Sequence, residues 1–171
     1  MALTIRPEQP NDEQTIRDLT IAAFEPMLYS GGSEAPIIEG LRADGDLTIS
    51  LVAIEGTDIL GHIAFSPVSI EDCEQGWFGL GPVSVRPEHQ RQGIGSALIN
   101  AGLDKLRTTG ARGCVLIGDP AFYRQFGFLG DGRVSYAGLP NEVVQWLSFD
   151  GEQPLGRLRY SPAFEQQGRQ P

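Results

Sequence analysis

The run Val83-Ser84-Val85-Arg86-Pro87-Glu88-His89-Gln90-Arg91-Gln92-Gly93-Ile94-Gly95-Ser96-Ala97-Leu98 joins an apolar strand pattern, a loop with two glycines and the opening of an amphipathic segment. Glycines at 93 and 95 let backbone N–H groups turn inward with no Cβ in the way. The start of a helix adds the positive end of its dipole, and the combination suits a phosphate. An ordinary strand-to-helix turn carries a glycine or two as well, so this spacing alone leaves both readings open. It is not a dinucleotide fingerprint, because the third glycine position counted from Gly93 is Leu98, and no Lys-Ser/Thr pair makes it a triphosphate loop. Cys73 and Cys114, with His62 and His89, stand at no recognised metal-ligand or redox spacing. The cysteines read as small buried hydrophobes, and no metal is expected.

Several elements must position this loop. Leu3 to Arg6 has strand composition, and Asn11 or Asp12 can cap a helix carrying Ile16, Leu19, Ile21 and Ala23 to Phe24 inward. A second helix is predicted from Ser33 to Ala43, with Ser33 as cap and Glu34 in its first turn. Leu51 to Ile54 and Ile59 to Ile70 flank a short turn tract and read as a hairpin. Trp77 to Val85 reads as a strand whose Gly79, Gly81 and Pro82 mark a bulge or a close backbone approach. Ala97, Leu98, Ala101, Leu103 and Leu106 recur at helical spacing from Ser96 to Thr108. Cys114 to Ile117 is a buried-strand run, Asp119-Pro120 opens a short helix through about Gln125, and Gly127 ends it. Further strands are expected near Arg133 to Tyr136, Val143 to Phe149 and Leu155 to Tyr160. Strands in runs mixed with helices describe an α+β (mixed α/β) fold.

A length of 171 residues and 40% hydrophobic content suit one domain, placed at residues 1–164, with a polar, loose tail over 165–171. No apolar run approaches the ~20 residues of a membrane span and no leader pattern opens the chain, so a cytoplasmic protein is expected. A net charge of -9 provides no basic face for nucleic acid or anionic lipid, and neither is expected as a partner. Residues 1–80 carry fourteen acidic side chains against three arginines, whereas residues 81–171 carry eight acidic against ten basic. The second half suits an anionic ligand and the first a cationic partner. Acidic loops that simply confer solubility would give the same count.

The chain resembles the GNAT N-acetyltransferase superfamily, and within it the small bacterial acetyltransferases of uncharacterised substrate. Gln90, Gly93 and Gly95 match the family's pyrophosphate motif, Arg/Gln-x-x-Gly-x-Gly/Ala, at a strand-to-helix junction. Downstream, Gly118-Asp119-Pro120-Ala121-Phe122-Tyr123-Arg124-Gln125-Phe126-Gly127-Phe128 is similar to the later motif in which a helix Tyr precedes a Gly-Phe pair by four residues. The resemblance implies a central, mostly antiparallel twisted sheet with a splayed strand pair, flanked by helices. It also implies acetyl-coenzyme A as acyl-donor cosubstrate, without metal. Val83, Ser84 and Val85 would run beside the pantetheine arm, and Gln90, Arg91, Gln92, Gly93, Ile94, Gly95 and Ser96 would hold the diphosphate. Arg86, Arg91 and Arg124 are further phosphate candidates, each equally readable as a solvated surface arginine.

Transfer to an amine needs a base, an oxyanion donor and an acid. Tyr123, a phenol with a reference pKa of ~10, is placed by the resemblance beside the departing sulfur as acid. The oxyanion donor would be a backbone N–H near the bulge, from Leu80 to Val83. His62 has the chemistry of a base, with Glu71 and Asp72 as alternatives, and no defined base motif decides among them. The acceptor implied is a primary amine of a small molecule or peptide, cationic in solution. A non-catalytic acyl-coenzyme A sensor and an interaction domain whose glycine loop is only a turn are the competing readings. A homodimer and a monomer are both compatible with the sequence.

Overall fold

A computed structural model describes residues 2–27 and 31–166. Along the chain run β1 (Thr4–Pro7), α1 (Glu13–Phe24), α2 (Glu34–Asp44), β2 (Ile49–Glu55), β3 (Asp58–Ile70), β4 (Trp77–Val85) and α3 (Ile94–Thr108). There follow β5 (Gly113–Ile117), α4 (Pro120–Tyr123), β6 (Val134–Ser135), β7 (Val144–Ser148), β8 (Gly156–Arg159) and α5 (Pro162–Gln166). The main sheet has the order β1-β2-β3-β4-β5-β7, with β8 on the far end of β3 and β6 beside β8. All pairings are antiparallel except β4 with β5 and β6 with β8. This is the mixed α+β fold with a mostly antiparallel sheet that the residues and the resemblance imply.

Alternation along β2 sends its residues to two different cores, because a strand turns successive side chains to opposite faces. Leu51 and Ala53 join Phe65, Leu98, Leu103 and Leu106 under α3, while Val52 packs with Ile16, Leu19 and Ile38 of α1 and α2. Helices therefore cover both faces, which is why Leu60 through Ser66 of β3 are buried without a break. Each fully buried leucine in these clusters contributes about 1.5–3 kcal/mol of transfer free energy.

Among the departures from the expected element boundaries, three concern the Tyr123 turn, the glycine loop and the last helix. The helix expected from Pro120 through Gln125 is one α turn, Pro120–Tyr123, followed by a 3-10 turn over Arg124–Phe126 that Gly127 closes at φ +99°. The segment opening α3 begins two residues ahead of Ser96, since Gly93 at φ +86° supplies the turn into the helix. Glu165, expected in the loose tail, belongs to α5, where Ala163 is buried against Ile37 and Leu41 of α2. Residues 167–171 lie outside the described residues. Among the described residues no helix is long and apolar enough to cross a membrane, and no three His, Cys, Asp or Glu converge as a metal site.

Candidate active site

β4 and β5 part company halfway along. They pair at Trp77↔Gly113, Phe78↔Cys114 and Gly79↔Val115, and no pairing continues from Leu80 onward. The cause lies in β4, where Leu80 to Val83 faces Phe65 to Ile63 of β3 with one residue too many, a bulge that bends the strand. Pro82 sits in that bulge and has no N–H to give to a ladder. Into the gap opens a cavity of about 820 Å³. Leu80, Gly81, Pro82 and Val83 form one wall, and Ile117, Gly118, Asp119, Pro120 and Tyr123 the other. Phe24, Glu34 and Ile37 enter from α1 and α2, Leu139, Pro140 and Val143 from the segment before β7, and Tyr160 and Phe164 from the chain's end.

Tyr123 is held on that wall by local chemistry. Asp119 accepts the Ala121 N–H at 2.9 Å and Pro120 occupies the first helical position, so a single turn is enough to aim the side chain. A Cβ on residue 118 would stand 2.7 Å from Tyr123 Cε2, so only glycine lets the phenol ring lie against the backbone there. Phe122, Phe126 and Phe128 surround the ring at centroid distances of 4.9, 6.2 and 6.1 Å. The Gln145 side chain in β7 donates to the Gly118 carbonyl at 3.0 Å and ties the turn to the sheet.

At the other end, β4 leads directly into the glycine loop. The Gln90 amide donates back to the Val85 carbonyl at 3.0 Å, which makes Gln90 a strut of the loop. Arg91 at φ +63° and Gly93 at φ +86° both take the left-handed conformation, uncommon for an arginine and a source of local strain. The first bond that closes α3 runs from the Ala97 N–H to the Gly93 carbonyl. The amides of Ile94, Gly95 and Ser96 thus precede the helical ladder, the N-cap Gly93 has no side chain to offer them, and no acidic residue stands in the first turn. Ile94 contributes its side chain to the core, leaving only its backbone for a ligand. Gln92 is exposed, and the Ser84 hydroxyl is buried 3.4 Å from that of Thr20. Arg86 directs its Nε to the Ile59 carbonyl at 2.7 Å, which fastens the loop to β3.

His62 lies elsewhere. It is fully buried in β3, on the face covered by α1 and α2, and does not line the cavity. Its Nε2 is 2.7 Å from Ser50 Oγ, and that hydroxyl donates its one proton to Glu8 Oε1 at 2.6 Å. The histidine must therefore donate from Nε2, which makes Nδ1 the bare nitrogen, and Nδ1 has no partner among the described residues. Burial pushes the His62 pKa down to about 4, with Arg42 adding to the effect and Glu8 opposing it. Arg42 also grips Glu8 at 2.8 and 3.0 Å. Burial raises the Glu8 carboxyl, but hydrogen bonds from Arg42 and Ser50 outweigh that and leave it below its usual range. The expected base is thus a neutral member of a closed polar network, out of reach of an amine in the cavity. Glu71, an alternative base, pairs with Arg157 at 3.1 Å and does not line the cavity either.

The sequence reading left out Glu34, Tyr160 and Phe164 as cavity residues. In the sequence Glu34 is placed only in the first turn of the second helix. Tyr160 and Phe164 are carried toward the cavity by the pairing of β8 with β3, which no local pattern announces.

A family model for the acetyltransferase (GNAT) family matches residues 14–128, more than half of the chain. The uncharacterized N-acetyltransferase YhbS of Escherichia coli strain K12 is 37% identical over 127 residues, 74% of this chain and 73% of that protein. A GNAT family acetyltransferase from Brucella melitensis, solved in complex with acetyl-CoA, superposes with a TM-score of 0.85 at 48% identity over 95% of this chain and 98% of the other. The Escherichia coli YhbS structure in complex with CoA gives 0.86 at 30% identity over 95% and 92%. The chain belongs to the acetyltransferase (GNAT) family.

Proposed function

We propose that the protein is an acetyl-CoA-dependent N-acetyltransferase acting on a primary amine. The parting of β4 and β5 carries this reading, because it joins a loop whose helix-start amides have no partner among the described residues to a cavity walled by Tyr123. The complexes of the Brucella and Escherichia coli relatives with acetyl-CoA and CoA support the choice of donor. The thioester supplies the activated acetyl group. The amides of Ile94, Gly95 and Ser96, with the helix dipole behind them, hold the diphosphate, helped by Arg91 and the backbone of Gln92 and Gly93. Val83 to Val85 guide the arm along the free edge of β4.

The acceptor ammonium first loses one proton to water, and its nitrogen then forms the C–N bond. Backbone N–H groups of the bulge between Leu80 and Val83 donate to the carbonyl oxygen as it gains charge. As the C–S bond breaks, Tyr123 gives its proton to the sulfur. The phenolate recovers a proton from the acetylated nitrogen through water, so one ammonium and one thioester yield one amide, one thiol and one proton. No base from His62 enters this scheme.

Free thiol released from acetyl-CoA by a panel of amines tests the activity. Tyr123→Phe is expected to lower kcat by about a hundredfold, the scale of a lost general acid, and to change coenzyme A affinity by less than about twofold. Equal loss of turnover and of affinity would count against the acid role. Coenzyme A binding with no acceptor in the panel would favour the sensor.

A further inference from the structure

We propose that the ring of Tyr160 is the stop that sets acyl length at this site, so that the donor carries an acetyl or propionyl group and longer acyl chains are refused; the inference rests on the acetyl-CoA reading above. The direction in which the donor lies carries it. With the diphosphate at Ile94 to Ser96 and the arm along Val85 to Val83, the thioester reaches the bulge with its acyl group pointing back along β4 toward Gly79. The pair Gly79↔Val115 is the last rung that β4 and β5 share. Paired backbones stand about 4.8 Å apart, too close to admit a chain between them, so an acyl group on this line meets the closed end of the fork.

What covers that closed end decides how much chain it admits. On one face Leu80, Cys114, Leu116 and Phe128 belong to the core packed under α3. On the other face lies Tyr160, in one cluster with Trp77 and Val115. Distances fix its ring there. A Cβ on Gly79 would stand 3.0 Å from Tyr160 Cε1 and 3.5 Å from Cδ1, so the ring rests against the β4 backbone at the last rung and glycine is what admits it. Tyr136 meets the ring edge-on at 5.3 Å between centroids and Phe164 lies at 4.7 Å, so this buried ring is held from two further sides. Tyr160 also lines the 820 Å³ cavity, and its ring is therefore cavity surface beside the vertex. The space walled by Phe24 and Ile37 is left to the acceptor, and an acyl chain turned into it stands in the path of the attacking amine.

Acetyl-, propionyl-, butyryl- and hexanoyl-CoA are the probes. Each is titrated calorimetrically into wild type, Tyr160→Phe, Tyr160→Leu and Tyr160→Ala, with coenzyme A itself as the reference that reports folding. Wild-type affinity is expected to fall by about tenfold or more from acetyl- to butyryl-CoA, the scale of one methylene too many in a fitted pocket. Tyr160→Phe keeps the ring and should keep that fall. Tyr160→Leu and Tyr160→Ala should recover butyryl-CoA by about tenfold relative to coenzyme A. A wild-type affinity that ignores acyl length, a fall that neither smaller side chain relieves, or a uniform loss of all five ligands in both variants overturns the inference. Thiol release from acetyl-CoA with the amine panel tests the transferase reading apart. Length discrimination set by Tyr160 without thiol release leaves the inference standing and overturns that reading. Thiol release from all four donors at equal kcat/KM does the reverse.

Discussion

Tyr123 and His62 are the two side chains the sequence offers for proton transfer, and the structure puts them in opposite situations. Where β4 and β5 part, a single turn of helix holds a phenol at the edge of an open space. Where β3 and β4 stay paired, His62 stands opposite Ser84 and Val52 in a sheet covered on both faces, and its ring nitrogen is committed to Ser50. Proton-transfer chemistry needs a group that exchanges protons with what enters the site. His62 instead serves stability, since Glu8, Ser50, Arg42 and His62 together fasten α2 and the exit of β1 to the sheet.

The closed network makes the larger claim on pH. His62 has a folded pKa near 4 against 6.5 in the unfolded chain, so the unfolded state binds the proton first as the pH falls. The stability that the neutral ring contributes is complete above pH 6.5 and is lost progressively between there and pH 4. The depressed Glu8 carboxyl acts in the same direction at lower pH, below the ordinary carboxylate range. The ceiling on the His62 contribution is about 3 kcal/mol, from 1.36 kcal/mol per pKa unit. Urea unfolding at pH 7 and pH 4.5 should show the wild type losing most of that amount. His62→Gln, which keeps a donor for Ser50, should flatten the difference. A variant that kept the same slope, or that shifted the acid limb of kcat/KM, would restore His62 to the reaction.

What the sequence disclosed follows the same division. Elements whose signals are local were legible: the 3.6-residue period of α3, the two arms of the β2–β3 hairpin, and the Asp119-Pro120 start that places Tyr123. Gly93 and Gly95 were legible because a glycine at a strand-to-helix junction speaks through backbone geometry alone. Burial was not, since His62 carries the same imidazole whether it faces solvent or α1, and only the stacking of helices on both faces decides. Glu34 stayed hidden for the complementary reason. Its helix-start position explained it locally, and its place on the cavity wall depends on the tertiary fold that also brings Tyr160 and Phe164 there.

Two glycines of α3 sharpen the comparison within one helix. Gly102 sits over the closed core, and a Cβ there would land on the ring of Phe65, which is wholly buried and has nowhere to go. Gly102→Ala should therefore destabilise the protein, the overpacking cost of about 1–3 kcal/mol exceeding a helix-propensity gain of about 1 kcal/mol. Thermal unfolding reads this as a fall in Tm of a few degrees, about 2–4 °C per kcal/mol at this size. An unchanged or raised Tm would mean that the core under α3 yields as easily as the cavity does.

Gly95 is the smallest effect and the most discriminating one. Its backbone is helical, and a Cβ there would meet only Val85 Cγ2 at 3.9 Å, an ordinary contact, so nothing within the protein requires glycine. Glycine in a helix costs about 0.5–1 kcal/mol relative to alanine, and near the first turn the lower figure applies. If the residue is kept for a diphosphate that lies against the backbone, Gly95→Ala should raise the Tm of the ligand-free protein by a degree or two, on the scale of about 2–4 °C per kcal/mol. The family's motif admits alanine at this position, so the same change should weaken coenzyme A binding only slightly, by about twofold, through longer charge-assisted amide bonds. Opposite signs in the two measurements separate a ligand-imposed glycine from a structural one. If stability and affinity instead moved together, the amides of this loop would belong to the fold, and α3 would have no open end to set against its closed middle.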